Sequence, residues 1–121
     1  MIFLPAIGVA ESSRTDSSQD TYEIIKVEKI GPELFEVEAS RSFSVAQEMR
    51  RHYQTKRYAS ENMLLQVNCG RGQVNVISYR WFTDPGLQGA LVHASHDASG
   101  WYAASKDAAV YQLTKKVCTA E

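Results

Sequence analysis

Apolar and polar positions alternate over much of this chain. Tyr22 to Ile30 is rich in Ile, Val and Tyr and reads as a strand. Gly31-Pro32 interrupts it, because proline cannot donate to a ladder. Phe35, Val37 and Ala39 then alternate with Glu36 and Glu38, the pattern of a half-buried strand with carboxylates toward water. These two segments predict a first hairpin. From Asn62 onward, Met63, Leu65 and Val67 alternate with Leu64, Gln66 and Asn68 as far as Cys69. Gly70-Arg71-Gly72 is a turn by its chemistry, since glycine permits positive φ. Val74 to Phe82 is the longest β-like run, and Asp84-Pro85-Gly86 marks the next turn. Ala90 to Ala94 reads as a short strand, His96 to Gly100 as a turn, and Trp101-Tyr102 as the start of a last short strand. Strands spaced this regularly predict an antiparallel meander rather than βαβ units.

Two segments depart from alternation. Within Ser42 to Ser60, Val45, Met49 and Tyr53 recur every four residues, and Ser44 with Gln47 fits a capping box. That spacing predicts a short helix; the competing reading is a strand that breaks into a loop near Gln54. Ser105 to Val117 carries the strongest helical pattern. Ser105 fits the N-cap, and Asp107 complements the positive end of the dipole. Val110, Leu113 and Val117 share one face, with Tyr111, Thr114 and Cys118 beside it, and Lys115 and Lys116 fall in the last turn. A one-sided apolar helix after a meander should lie across one face of the sheet. The expected fold class is therefore α+β, an antiparallel β-meander sheet with a C-terminal helix packed on one face.

Composition narrows the functional classes. The 121 residues fit one domain. Hydrophobic residues at 44% and charged residues at 22% give an ordinary globular balance and argue against wholesale disorder. With 13 basic and 14 acidic residues, the chain lacks the basic excess of a dedicated nucleic-acid binder. No apolar stretch approaches the roughly 20 residues that span a bilayer. Residues 1–10, MIFLPAIGVA, read as a truncated signal-peptide remnant, with Gly8 and Ala10 as the small residues before a cut at Glu11. The positively charged leader is missing, so an apolar tip on a disordered N-terminus is the alternative. The polar stretch 11–21 reads as a flexible linker, which leaves 22–121 as a single domain.

The candidate chemistry is sparse. Cys69 ends a strand and Cys118 ends the helix. An even count in an exported chain favours a disulfide. Two buried free thiols in a cytosolic protein, or a catalytic thiol with His52, His93 or His96 as base, are the alternatives. The spacing fits neither CxxC nor a zinc ligand set. Charge is unevenly spread: Asp20 to Glu38 holds six acids and two lysines, whereas Arg41, Arg50, Arg51, Lys56 and Arg57 face Glu48 alone. Such a basic patch suits an acidic partner, a glycan or an anionic surface, and its structural alternative is a solvated face paired with the acidic hairpin beside it. Tyr79, Trp81, Trp101 and Tyr102 either line a binding patch or fill the core under the helix. The candidate partner-binding residues are Arg50, Arg51, Lys56, Arg57, Tyr79 and Trp81. His93, His96 and Asp97 gather around a turn, where imidazole and carboxylate suit a transition metal, but no cysteine completes the set. The chain holds no GxSxG elbow, P-loop or HExxH, so neither an enzyme nor a cofactor is expected.

YASENMLLQVNC, then VNVISYRWFTDPGLQGALVHAS, then Trp101, then a helix closing in KKVC, follow one another over about residues 57–118. In this order they resemble the surface-adhesin protein E family. In that family a strand ends in a cysteine, and a strand with an aromatic finish follows. A glycine-containing turn, a lone tryptophan and a helix ending in Val-Cys complete the series. The resemblance implies an antiparallel sheet with its C-terminal helix pinned by a bridge, here Cys69 to Cys118. It implies an exported protein of the periplasm or cell envelope of a Gram-negative bacterium, non-enzymatic, binding a protein or glycan partner as an adhesin does. A periplasmic structural or accessory subunit, dimeric through an edge strand, is the alternative. A small metal-binding protein or enzyme using His93, His96 and Asp97 is the second. Two departures stand out. A lipoprotein member would carry a cysteine just after the signal run, and none lies near Ala10. Val45 to Thr55 reads as helical where the family leads one to expect strand.

Overall fold

The computed structural model describes residues 20–51 and 53–119. The apolar run 1–10, nearly all of the stretch 11–21, and His52 lie outside the described residues. Among the described residues, six strands form one antiparallel sheet: β1 (Glu23–Gly31), β2 (Leu34–Arg51), β3 (Gln54–Asn68), β4 (Gln73–Asp84), β5 (Gln88–Ser95) and β6 (Tyr102–Ala103). Neighbours run in chain order from β1 to β5, and β6 returns to pair with β4. The helix α1 (Ala108–Thr119) closes the chain.

The alternation that marks β2 and β3 sorts their side chains cleanly. Phe35, Val37 and Ala39 lie directly opposite Val67, Leu65 and Met63, and all six are buried on the face that α1 covers. Ala109, Val110, Leu113 and Val117 of the helix complete the core with Tyr22, Val74 and Ala104. Each large aliphatic side chain buried here contributes about 1.5–3 kcal/mol relative to exposure. The Cys69–Cys118 disulfide, with Cα atoms 5.6 Å apart, ties the end of β3 to the last turn of α1.

The helix begins later than its apolar spacing indicates. Ser105 is not the N-cap but sits inside a 3-10 turn, Ala104–Lys106. Asp107 holds the extended backbone that a cap requires, and its Oδ1 accepts from the N–H groups of Ala109 at 3.0 Å and Val110 at 3.3 Å. Thr114 is buried within the helix because its hydroxyl donates to the Val110 carbonyl at 2.9 Å.

The larger correction concerns 42–60, which is not helix: its described residues are strand apart from a turn at Tyr53, so the competing reading of a strand that breaks near Gln54 is the one that fits. Between the pairs Ser42↔Ser60 and Gln47↔Tyr58, β2 passes four residues while β3 passes one. Val45 lies inside that bulge and Tyr53 in the turn before β3, so Val45, Met49 and Tyr53 form no buried stripe despite their spacing. Val45 and Tyr53 are exposed. Ser44 and Gln47 cap nothing: the Ser44 N–H donates to Asp20 Oδ2, and Gln47 Nε2 donates to the Val45 carbonyl. The last β3–β4 pair in this direction is Ser60↔Phe82, so beyond it β2 and β3 continue as a two-stranded arm.

At the β4–β5 corner, Ser60 is fully buried and its hydroxyl clamps the turn, donating to the Asp84 carbonyl at 2.6 Å and accepting from the Leu87 N–H at 2.9 Å. Gly89 opens β5 with φ 81°, and a Cβ there would run into Thr83 and Asp84, so only glycine fits.

Candidate functional site

On the helix-bearing face, past the ground that α1 covers, rings from four strands form a ladder. Phe43 of β2 meets Tyr58 of β3 edge-on, with centroids 5.5 Å apart. Tyr58 stacks on Trp81 of β4 at 4.2 Å with planes 4° apart. Trp81 in turn touches Tyr79 and, on β5, His93, each at 5.1 Å. Ring pairs at these separations add about 0.5–1.5 kcal/mol beyond their burial.

A carboxylate anchors this ladder from below. Glu61 is 7% exposed. Its Oε1 accepts from the Tyr22 hydroxyl at 2.6 Å and from Arg41 Nε at 3.1 Å, and its Oε2 accepts from the Trp81 indole N–H at 3.0 Å. The Arg41 guanidinium lies over the Tyr22 ring at 4.3 Å and the Phe43 ring at 4.8 Å. A buried carboxylate is tolerated only when paired and hydrogen-bonded, and Glu61 has three such partners. Burial pushes the Tyr22 hydroxyl far above its ordinary value, and the Glu61 charge adds to the shift. Tyr58 is raised as well, chiefly by burial and then by the Glu61 charge.

The arm beside this ladder carries the basic residues. Arg57 lies opposite Glu48, Lys56 opposite Met49, Arg50 opposite Thr55, and the backbone of Arg51 pairs with Gln54 at the last rung. Arg50 and Arg57 both reach the Glu48 carboxylate, at 3.5 and 3.6 Å. These exposed pairs are worth at most about 1 kcal/mol and leave the cations accessible. Among the described residues, the acid that Arg50 and Arg57 reach is Glu48 of the arm itself.

The family model for surface-adhesin protein E matches residues 8–119. The chain belongs to the surface-adhesin protein E family. No curated protein matches it. Among solved structures, crystal form II of Haemophilus influenzae protein E gives a TM-score of 0.61 at 15% identity, covering 88% of this chain and 93% of that one. The selenomethionine form of Haemophilus influenzae protein E gives 0.58 at 13% identity, over 82% and 79%. At such identities the likeness speaks for the fold.

Within this protein E fold, the residues singled out in the sequence are redistributed. Tyr79 packs against the core, and Trp81 sits in the ladder beyond the helix. Tyr102 is half-buried against the core, whereas Trp101 is exposed. Tyr58 joins what the sequence kept apart, since it stacks on Trp81 and follows Arg57 in the arm. His93, His96 and Asp97 do not converge: His93 lies against Tyr79 and Trp81, while His96 lines a hollow on the opposite face. Among the described residues no group of three or more His, Cys, Asp or Glu is placed to hold a metal ion. The bridge between Cys69 and Cys118 removes both free-thiol readings. Glu61 and Tyr22 carry no functional signal in the sequence reading, and Arg41, counted there with the basic run, instead turns onto Glu61. The available signal was that Glu61 shares the alternation phase of Met63, Leu65 and Val67, which places a carboxylate on the buried face.

Proposed function

We propose that this domain is an exported, non-enzymatic binding module of a Gram-negative cell envelope, docking a protein or glycan partner as an adhesin does. The observation that carries the reading is the ring ladder, continuous with a basic two-stranded arm. Tyr, Trp and Arg are the side chains enriched where partners dock. Glu61 holds Trp81 in place beforehand, so little order is lost on binding. Tyr79 and Trp81 supply contact area, and Arg50, Arg51, Lys56 and Arg57 steer an acidic partner toward it. The Cys69–Cys118 disulfide supports an oxidising compartment. No described helix is long and apolar enough to cross a membrane.

The full chain, expressed with its own upstream region and fractionated without reductant, tests export. The expected product lies in the envelope, lacks residues 1–10 and has both cysteines oxidised. A full-length, reduced chain in the cytosol overturns the reading. Crosslinking in the envelope then tests binding. The partner band should fade with Trp81→Ala and with Arg50→Glu/Arg57→Glu, and a band indifferent to both counts against this face.

A further inference from the structure

The face opposite α1 carries a polar hollow that neither the ladder nor the arm uses. Glu38 of β2, Asn62 and Leu64 of β3, Ser78 and Arg80 of β4, and His96 just past β5 line a cavity of about 360 Å³. A smaller hollow of about 120 Å³ shares Glu38 and Leu64 and runs on toward Lys26 and Glu28 of β1. Register assembles the larger one: Glu38 lies opposite Leu64, Leu64 opposite Ser78, and Asn62 opposite Arg80.

Asn62 is 7% exposed, and its amide serves both neighbours. Its Nδ2 donates to Glu38 Oε2 at 3.1 Å, and its Oδ1 accepts from Arg80 Nη2 at 3.0 Å. A buried amide costs free energy unless it is bonded on both sides, so this arrangement holds a carboxylate and a guanidinium at set positions across three strands. Asn62 also stands between the two charges. Among the described residues, the second Glu38 oxygen, the Ser78 hydroxyl and the His96 imidazole have no hydrogen-bond partner in the protein. A cross-strand ladder that only pinned register would not need a hollow with unspent donors and acceptors around it.

Acceptor, donor and hydroxyl arranged around the apolar side chain of Leu64 define a ligand class. A free anion in the hollow meets the Glu38 carboxylate, and a free cation meets Arg80. A hydroxyl group both donates and accepts, so adjacent hydroxyls on one ring satisfy Glu38 and Arg80 together. The C–H face of that ring can rest on Leu64. The volume lies near the lower end of small-molecule sites, about 300–1,000 Å³, which suits a mono- or disaccharide. We infer that this hollow is a binding subsite for a neutral sugar ring, with Glu38 and Arg80 taking neighbouring hydroxyls. The site is separate from the ladder and arm and does not depend on their role.

The test is a titration of the ¹⁵N-labelled, oxidised full chain with lactose, maltose and chitobiose to about 10 mM, tenfold above the Kd of a weak, millimolar site. At least one sugar should produce saturable shifts of the Asn62 side-chain amide and of the Leu64, Ser78 and Arg80 backbone amides. Ser78→Trp, which fills the hollow, should weaken binding at least tenfold, and Tyr111→Ser on the other face should leave it unchanged. Should Ser78→Trp fail to fold, Arg80→Gln carries the same tenfold expectation. No shifts with any of the three sugars would overturn the inference. So would shifts that survive Ser78→Trp or Arg80→Gln, or equal shifts from acetate or N-acetyl-lysine amide, which would mark a site for charge alone.

Discussion

Glu61 and Trp81 stand directly opposite each other on β3 and β4, and the indole N–H donates to the carboxylate at 3.0 Å. That bond is one of three converging on a single buried side chain, and its removal should be felt across the face. Glu61→Ala takes away the carboxylate beside the Arg41 guanidinium, whose side chain is 11% exposed. Breaking such a pair from one side costs about 3–5 kcal/mol, whereas replacing both Arg41 and Glu61 with methionine should recover most of the loss. Urea unfolding measures both variants. A loss under about 1 kcal/mol for Glu61→Ala, the scale of an exposed pair, would show that the network is solvated after all.

Tyr22 links the same network to alkaline stability. Its hydroxyl is raised far above the ordinary value by burial and then by the Glu61 charge, and Tyr58 and Tyr102 are raised as well, in each case first by burial. A tyrosine raised in the folded state keeps its proton while the unfolded chain loses it. The stabilisation is therefore complete below the unfolded pKa of about 10 and is lost as pH rises above it. Unfolding free energy should fall with pH above about 10, and Tyr22→Phe should flatten that slope while costing about 1.5–3 kcal/mol at neutral pH for the lost charge-assisted bond. An unchanged slope in Tyr22→Phe would place the alkaline sensitivity elsewhere.

Asp107, not Ser105, should govern the start of α1. Asp107→Ala removes two cap bonds and should cost about 1 kcal/mol, visible as fraying of Ala109 and Val110 in amide exchange. Ser105→Ala should stay within about 0.5 kcal/mol. The reverse ranking in thermal melts would move the cap back to Ser105.

The disulfide should hold the helix more than the sheet. Its partners are 49 residues apart, and a closed loop of that length is worth about 4 kcal/mol in the chain-entropy account. α1 meets the sheet along one apolar stripe and is tied near its C-terminal end, while β2, β3 and β4 are paired on both sides. Reduction should thus expose helix amides to exchange before those of β3. Equal protection of the two after reduction would contradict this.

What the sequence settled by itself is local and periodic. The alternation at Phe35, Val37 and Ala39, and at Met63, Leu65 and Val67, names the buried face of β2 and β3, because a strand's side chains have a period of two wherever it pairs. The stripe Val110, Leu113 and Val117 does the same for α1. Turn chemistry at Gly31-Pro32, at Gly70 to Gly72 and at Pro85-Gly86 marks where strands end, whereas the two cysteines left free thiols open until the structure bridged them.

Only the tertiary structure decided which strands are neighbours and at what register. The bulge between Ser42 and Gln47 turned a four-residue spacing into an arm, because periodicity cannot distinguish a helix from a strand with an inserted kink. Hydrogen bonds across the sheet gathered Tyr22, Arg41, Glu61 and Trp81, which are scattered along the chain. Both outcomes have one cause. A side chain's face follows from its own segment, but its partners follow from the free energy of closing the whole sheet, which no single segment contains.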